Sequence, residues 1–92
     1  MFYTYVLQSR KDGEWYVGYT NNLRRRLEEH KKGVSPSTKP RNPFRLIYFE
    51  GCIKEEDAKR RERYLKTTQG RRFLGLRLLI YGRLKPAPVS GS

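Results

Sequence analysis

The sequence has one cysteine, one histidine and nine acidic residues, set against 21 basic ones in 92 positions. A single thiol, Cys52, excludes an intramolecular disulfide framework. One cysteine with one histidine, His30, excludes a zinc cluster of the usual Cys/His kind. No apolar run approaches the roughly 18–20 residues needed to span a bilayer. The N-terminus, Met1-Phe2-Tyr3-Thr4-Tyr5, lacks the positive region and apolar stretch of a signal peptide. These absences lead us to expect a cytoplasmic protein with no membrane partner. At this length one domain is expected, with no internal repeat.

Positive charge is what the chain has in abundance, with a formal net charge of +12. A domain this small hides only about 60–65% of its unfolded surface on folding, so much of that charge is solvated. The basic residues are spread along the chain: 2 in residues 1–20, 5 in 21–32, 3 in 33–50, 5 in 51–65 and 6 in 66–85. That spread fits a folded domain with a basic face better than a neutral domain with a basic tail. Its natural partner is a polyphosphate. An aromatic content of 13% argues against disorder.

Periodicity predicts strands over residues 3–8 and 15–19, joined through the turn signal Asp12-Gly13. A helix over about 22–32 follows, capped by Thr20 or Asn21 and stopped by Gly33. Residues 34–43 read as a Pro/Ser loop and 44–50 as a third strand. A second helix is expected over about 54–66, with Glu55, Glu56 and Asp57 complementing its dipole. Residues 67–70 read as a break, 71–81 as a third helix with Gly82 after it, and 85–92 as a fraying tail. The order ββαβαα describes an α+β domain, a three-stranded antiparallel sheet flanked by helices.

Three groups of residues could carry chemistry. Ala58, Glu62 and Leu65 stand at i, i+4 and i+7, which puts a carboxylate on a core-directed stripe. That carboxylate could serve a site, or could simply pair with Lys66, Lys59 or Arg61. On the first helix Leu23 and Leu27 mark the buried side, with Arg26 and His30 along its edge. An arginine there can clamp a phosphate and a histidine can move a proton near neutral pH; both could also be a solvated rim. Seven tyrosines, including Tyr3, Tyr5, Tyr16 and Tyr19, are either core residues or the lining of one cleft.

Tyr3-Thr4-Tyr5, followed by Tyr16-Val17-Gly18, resembles the two signature tripeptides of the GIY-YIG nuclease superfamily. The likeness continues through Thr20-Asn21-Asn22-Leu23, Arg26-Leu27 and His30 to Ala58, Glu62, Leu65 and Lys66, and covers roughly residues 2–82. It looks closest to the small stand-alone prokaryotic members. The resemblance implies that Tyr5 and Tyr16 are the signature tyrosines, Tyr16 assisting the attacking water. It implies that Gly18 lets the backbone turn closely into the first helix. Arg26 then stabilises charge on the phosphate in flight, His30 relays a proton, and Glu62 holds one divalent metal, Mg²⁺ or Mn²⁺. Tyr19 stands where some family enzymes carry a lysine beside the second tyrosine.

The function so implied is metal-dependent hydrolysis of DNA phosphodiester bonds by an endonuclease of repair or recombination, associated with the nucleoid. Sequence-independent phosphate binding is expected from Lys39, Arg41 and Arg45 around the Pro-rich loop, and from Lys66, Arg71, Arg72 and Arg77 near the last helix. No base-reading helix or second DNA-binding domain is visible, which suggests recognition of branched or distorted DNA, or a targeting protein partner. Residues 1–82 are read as the nuclease-like domain and 83–92 as a flexible tail. The rival readings are a non-catalytic nucleic-acid-binding module of the same fold, or a basic RNA-associated protein.

Overall fold

A computed structural model describes residues 1–34 and 38–78. Strand β1 (Phe2–Ser9) lies at the centre of a three-stranded antiparallel sheet, between β2 (Trp15–Thr20) and β3 (Phe44–Cys52). Helix α1 (Leu23–Lys31) follows β2, and helices α2 (Glu55–Leu65) and α3 (Thr68–Arg77) follow β3. The expected ββαβαα order is therefore the observed one. A short 3₁₀ turn at Lys39–Arg41 interrupts the loop before β3.

The central strand explains the two layers. Thr4 through Ser9 are all buried, because both faces of β1 are covered. Alternation sends Thr4, Val6 and Gln8 one way and Tyr5 and Leu7 the other. On the first face, Thr4 Oγ1 donates to the Ala58 carbonyl of α2 at 2.8 Å, and Val6 packs in a core with Val17, Ile47, Leu65 and Leu74. On the second face, Tyr5 meets His30 of α1. Opposite the Val6–Leu7 step, β3 is irregular: Val6 pairs with Tyr48 and Leu7 with Leu46, so Ile47 is inserted.

Local chemistry sets the element ends. Gly13 takes a positive φ of 77° in the hairpin turn, a conformation that costs glycine little. Asn22, one residue later than predicted, caps α1 by accepting from the Arg25 N–H at 3.0 Å. Thr67 caps α3 by accepting from the Gly70 N–H at 3.1 Å, so this helix starts at Thr68 where the sequence suggested a break through residue 70. The glycine that reads as a breaker is buried inside the helix, since a Cβ on Gly70 would strike the Tyr64 carbonyl oxygen. Arg61 clamps Glu50 through Nε at 2.6 Å and Nη2 at 3.2 Å, tying α2 to β3. The expected end of the third helix near Tyr81, its Gly82 stop and the 83–92 tail lie outside the described residues. Among the described residues, no helix is long and apolar enough to cross a membrane.

Candidate active site

The second face of the sheet collects the residues that the sequence singled out. Tyr5 and Leu7 of β1, with Leu7 paired to Tyr16 of β2, form the floor. Tyr5 leans over Gly18, its own partner on β2: a Cβ on Gly18 would come within 2.7 Å of the Tyr5 hydroxyl oxygen. Gly18 is thus needed for this close approach inside β2, whereas the sequence reading assigned it to the turn into α1.

His30 closes over the floor. Its Nε2 lies 2.9 Å from the Tyr5 hydroxyl and its Nδ1 lies 2.8 Å from Thr38 Oγ1. Ring centroids of Tyr16, Tyr5 and Phe44 stand 5.4, 5.8 and 6.4 Å from the imidazole. The ring is only 2% exposed. This corrects the expectation that His30 rides the edge of α1 above a buried leucine stripe. Leu23 and Leu27 are only half-buried, and Leu27 lines a hollow of about 340 Å³ with Leu7, Phe44 and Leu46. The aromatic rings pack around His30 instead.

Burial pushes the Tyr5 phenol up to about 12, against a partial offset from the nearby Arg26 guanidinium. Burial, reinforced by the Arg26 charge, holds the His30 imidazole below its ordinary value, so the ring is neutral at pH 7. A neutral imidazole between two hydroxyls donates one hydrogen bond and accepts the other. Arg26 Nη1 donates to Glu29 Oε1 at 2.8 Å, and this bond secures its positive charge. Tyr16 is half-buried, unlike the enclosed Tyr5.

Glu62 comes from α2, on the other layer, and its charge makes only a small addition to the rise in the Tyr5 pKa, far behind burial. Its side chain is 21% exposed and accepts from Lys66 Nζ at 3.2 Å. The intrahelical pair weighed in the sequence is therefore present. Among the described residues, no group of three or more His, Cys, Asp or Glu side chains is placed to hold a metal ion. A single-carboxylate site needs no such group: magnesium is commonly held by one or two carboxylates, with waters and substrate phosphate completing its shell.

The basic residues expected to bind a backbone are dispersed. Lys39 and Arg41 are exposed on the 3₁₀ turn, Lys66 is paired with Glu62, and Arg72 is exposed on α3. Arg71 stacks 5.7 Å from the Trp15 ring and Arg77 lies 5.4 Å from Phe73. Arg45 lies within β3 and its Nη2 donates to Gln8 Oε1 at 3.1 Å.

Thr38 was missed in the sequence. It is fully buried, and its loop is fastened to β1 where Ser9 Oγ donates to the Arg41 carbonyl at 2.7 Å and Arg10 N–H donates to the Pro43 carbonyl at 2.8 Å. A threonine in a Pro/Ser loop carries no pattern that announces such a contact.

The profile of the GIY-YIG catalytic domain matches residues 1–74. The chain belongs to the GIY-YIG family. This GIY-YIG domain is 45% identical over 65 residues to the UPF0213 protein of Streptococcus pneumoniae, a match covering 70% of this chain and 65% of that one. It is 40% identical over 67 residues to the UPF0213 protein CPE1444 of Clostridium perfringens, covering 72% and 71%. Among solved structures it is similar to the solution NMR structure of the UPF0213 protein BH0048 from Bacillus halodurans. That similarity has a TM-score of 0.53 and 33% identity, over the whole of both chains.

Proposed function

We infer that this GIY-YIG domain is a nucleic-acid-binding domain, and we propose that its cleft hydrolyses DNA phosphodiester bonds. The observation that carries the hydrolytic reading is one juxtaposition. The buried Tyr5–His30 pair and Tyr16 share a face with α1, the helix that carries Arg26, and Glu62 stands on α2 across the sheet. A net charge of +12 supports the affinity for a phosphate backbone.

Arg26 donates to the non-bridging oxygens of the phosphate. Tyr16, the accessible tyrosine, positions the attacking water and helps remove its proton. Tyr5 keeps its own proton, with its pKa near 12, and orients the cleft through His30. His30 is too enclosed to touch substrate and acts through the Tyr5 hydroxyl. Glu62 would hold one Mg²⁺ or Mn²⁺ ion. Bound there, such an ion supplies charge neutralisation at the phosphate and stabilisation of the leaving oxygen. In this reading residues 1–82 form the working domain, acting in the cytoplasm near the nucleoid.

A specific observation favours the reading that stops at binding. Both functional charges are already neutralised, Arg26 by Glu29 and Glu62 by Lys66. The two readings separate in one assay. Labelled branched, single-stranded and duplex DNA, with an RNA control, is incubated with Mg²⁺, Mn²⁺ or EDTA, using wild type, Glu62→Gln and Tyr16→Phe. Metal-dependent cutting that both folded variants lose establishes the hydrolase. Tight, salt-sensitive binding without cutting under either metal leaves the binding module.

A further inference from the structure

We propose that the hollow bounded by Tyr3, Asn21, Asn22, Leu23, Arg24 and Phe49 docks an unpaired nucleobase. The preferred nucleic acid then carries single-stranded nucleotides beside the phosphate held in the cleft. This rests on the nucleic-acid reading above and adds a substrate class to it.

The placement is fixed by the sheet register. Phe49 is the β3 residue paired with Tyr5, so both lie on the face that carries the cleft. Tyr3 is two residues before Tyr5 on the same strand face, about 6–7 Å along β1. Leu23 and Arg24 sit on α1 about one turn before Arg26 and Leu27. The hollow therefore lies on the cleft's face of the sheet, one step along β1 and about one helical turn along α1 from the proposed hydrolytic residues.

Its lining suits a base. Phe49 is 51% exposed, so its ring is open to a stacking partner. The Tyr3 ring stands 6.3 Å from it at an interplanar angle of 62°, bracing it edge to face. The hollow measures about 400 Å³, within the range of small-ligand sites. Asn21, Asn22 and Arg24 rim it with amide and guanidinium groups able to meet base edges and phosphate oxygens. Arg24 is exposed and, among the described residues, is in no ion pair.

Charge and chemistry choose the occupant. An apolar peptide would meet a rim of amides and a free cation over a strongly basic domain. A base within a duplex already has both faces stacked, so only an unpaired base gains by covering Phe49.

The test is fluorescence-anisotropy binding in EDTA, which reads affinity without cleavage. Its probes are a blunt duplex, a single strand and a forked duplex of equal length. Wild type should bind the fork and single strand more tightly than the blunt duplex. Phe49→Ala should weaken fork binding by about five-fold or more, the least expected of one lost base–aromatic stack, and leave duplex affinity unchanged. Phe49→Trp should keep the preference. Because Phe49 lies on the surface, both variants retain the fold, which circular dichroism checks. An unchanged fork-to-duplex ratio in Phe49→Ala, or no preference in wild type, overturns the base-docking site while nucleic-acid binding stands. Failure to bind any of the probes overturns the nucleic-acid reading itself, and this site with it.

Discussion

The Tyr5 hydroxyl and His30 Nε2 lie 2.9 Å apart, and neither ring is more than 2% exposed. The pair joins the central strand to the end of α1. It makes the two most enclosed members of the cleft into a single unit, with Thr38 on its far side.

His30 should titrate below the ordinary imidazole value. Burial lowers its folded pKa, so the unfolded chain binds the extra proton first. The stability it contributes is present above the unfolded value of about 6.5 and is lost as pH falls through the folded value. As the chain has one histidine, a single NMR-detected imidazole titration reads this directly. A midpoint at or above the ordinary value would contradict it.

Tyr5 predicts the alkaline limb. Its stabilising contribution is complete below about pH 10 and disappears as pH climbs toward its folded pKa of about 12. Thermal stability of wild type should fall more steeply with pH across that window than that of Tyr5→Phe, which lacks the titrating phenol; equal slopes would contradict this. The variant curve should be the flatter of the two.

Thr38→Val strips one hydroxyl from the imidazole and leaves Nδ1 buried without that partner. The expected loss is about 1–3 kcal/mol in urea unfolding. Thr38→Ser, which restores the oxygen, should recover most of it, and the His30 midpoint should follow the same order.

Two glycines of α3 should respond in opposite ways to alanine. Gly70→Ala puts a methyl group against the Tyr64 carbonyl and the Leu65 backbone, neither of which can swing away. It should cost about 3 kcal/mol or more, the upper end of overpacking. A Cβ on Gly75 would meet nothing within 4 Å, so Gly75→Ala should be neutral or stabilise by about 0.5–1 kcal/mol through helix propensity. Denaturant midpoints of the two variants check the contrast.

Lys66→Ala should release Glu62 from its ion pair. If Glu62 holds the metal, the half-saturating Mg²⁺ or Mn²⁺ concentration in cleavage should fall. An unchanged or higher requirement would show that Lys66 does not compete for the carboxylate.

Much of the architecture was legible because its signals are local. The β-rich runs, the Asp12-Gly13 turn and the acidic first turn of α2 each mark their own element. Tyr5, Tyr16, Arg26 and His30 could be picked out from the sequence and do share one face. What stayed hidden depends on tertiary contact. Gly70 reads as a breaker unless one knows that α2 passes against it. Leucine spacing put Leu23 and Leu27 inside and His30 at the rim, but the aromatic rings of β1, β2 and β3 bury the histidine. Thr38 and Phe49 took their places from a loop anchored at Ser9 and from strand pairing, neither of which leaves a periodic trace.

Because α1 and α2 cover opposite faces of the sheet, the tyrosines and Glu62 belong to different layers of the molecule. Tyr5 and Tyr16 are seated by β1 and β2, whereas Glu62 takes its position only when α2 is docked through the Ala58 carbonyl on Thr4. Under the hydrolytic proposal, loosening α2 alone would therefore remove the carboxylate while leaving the aromatic face in place.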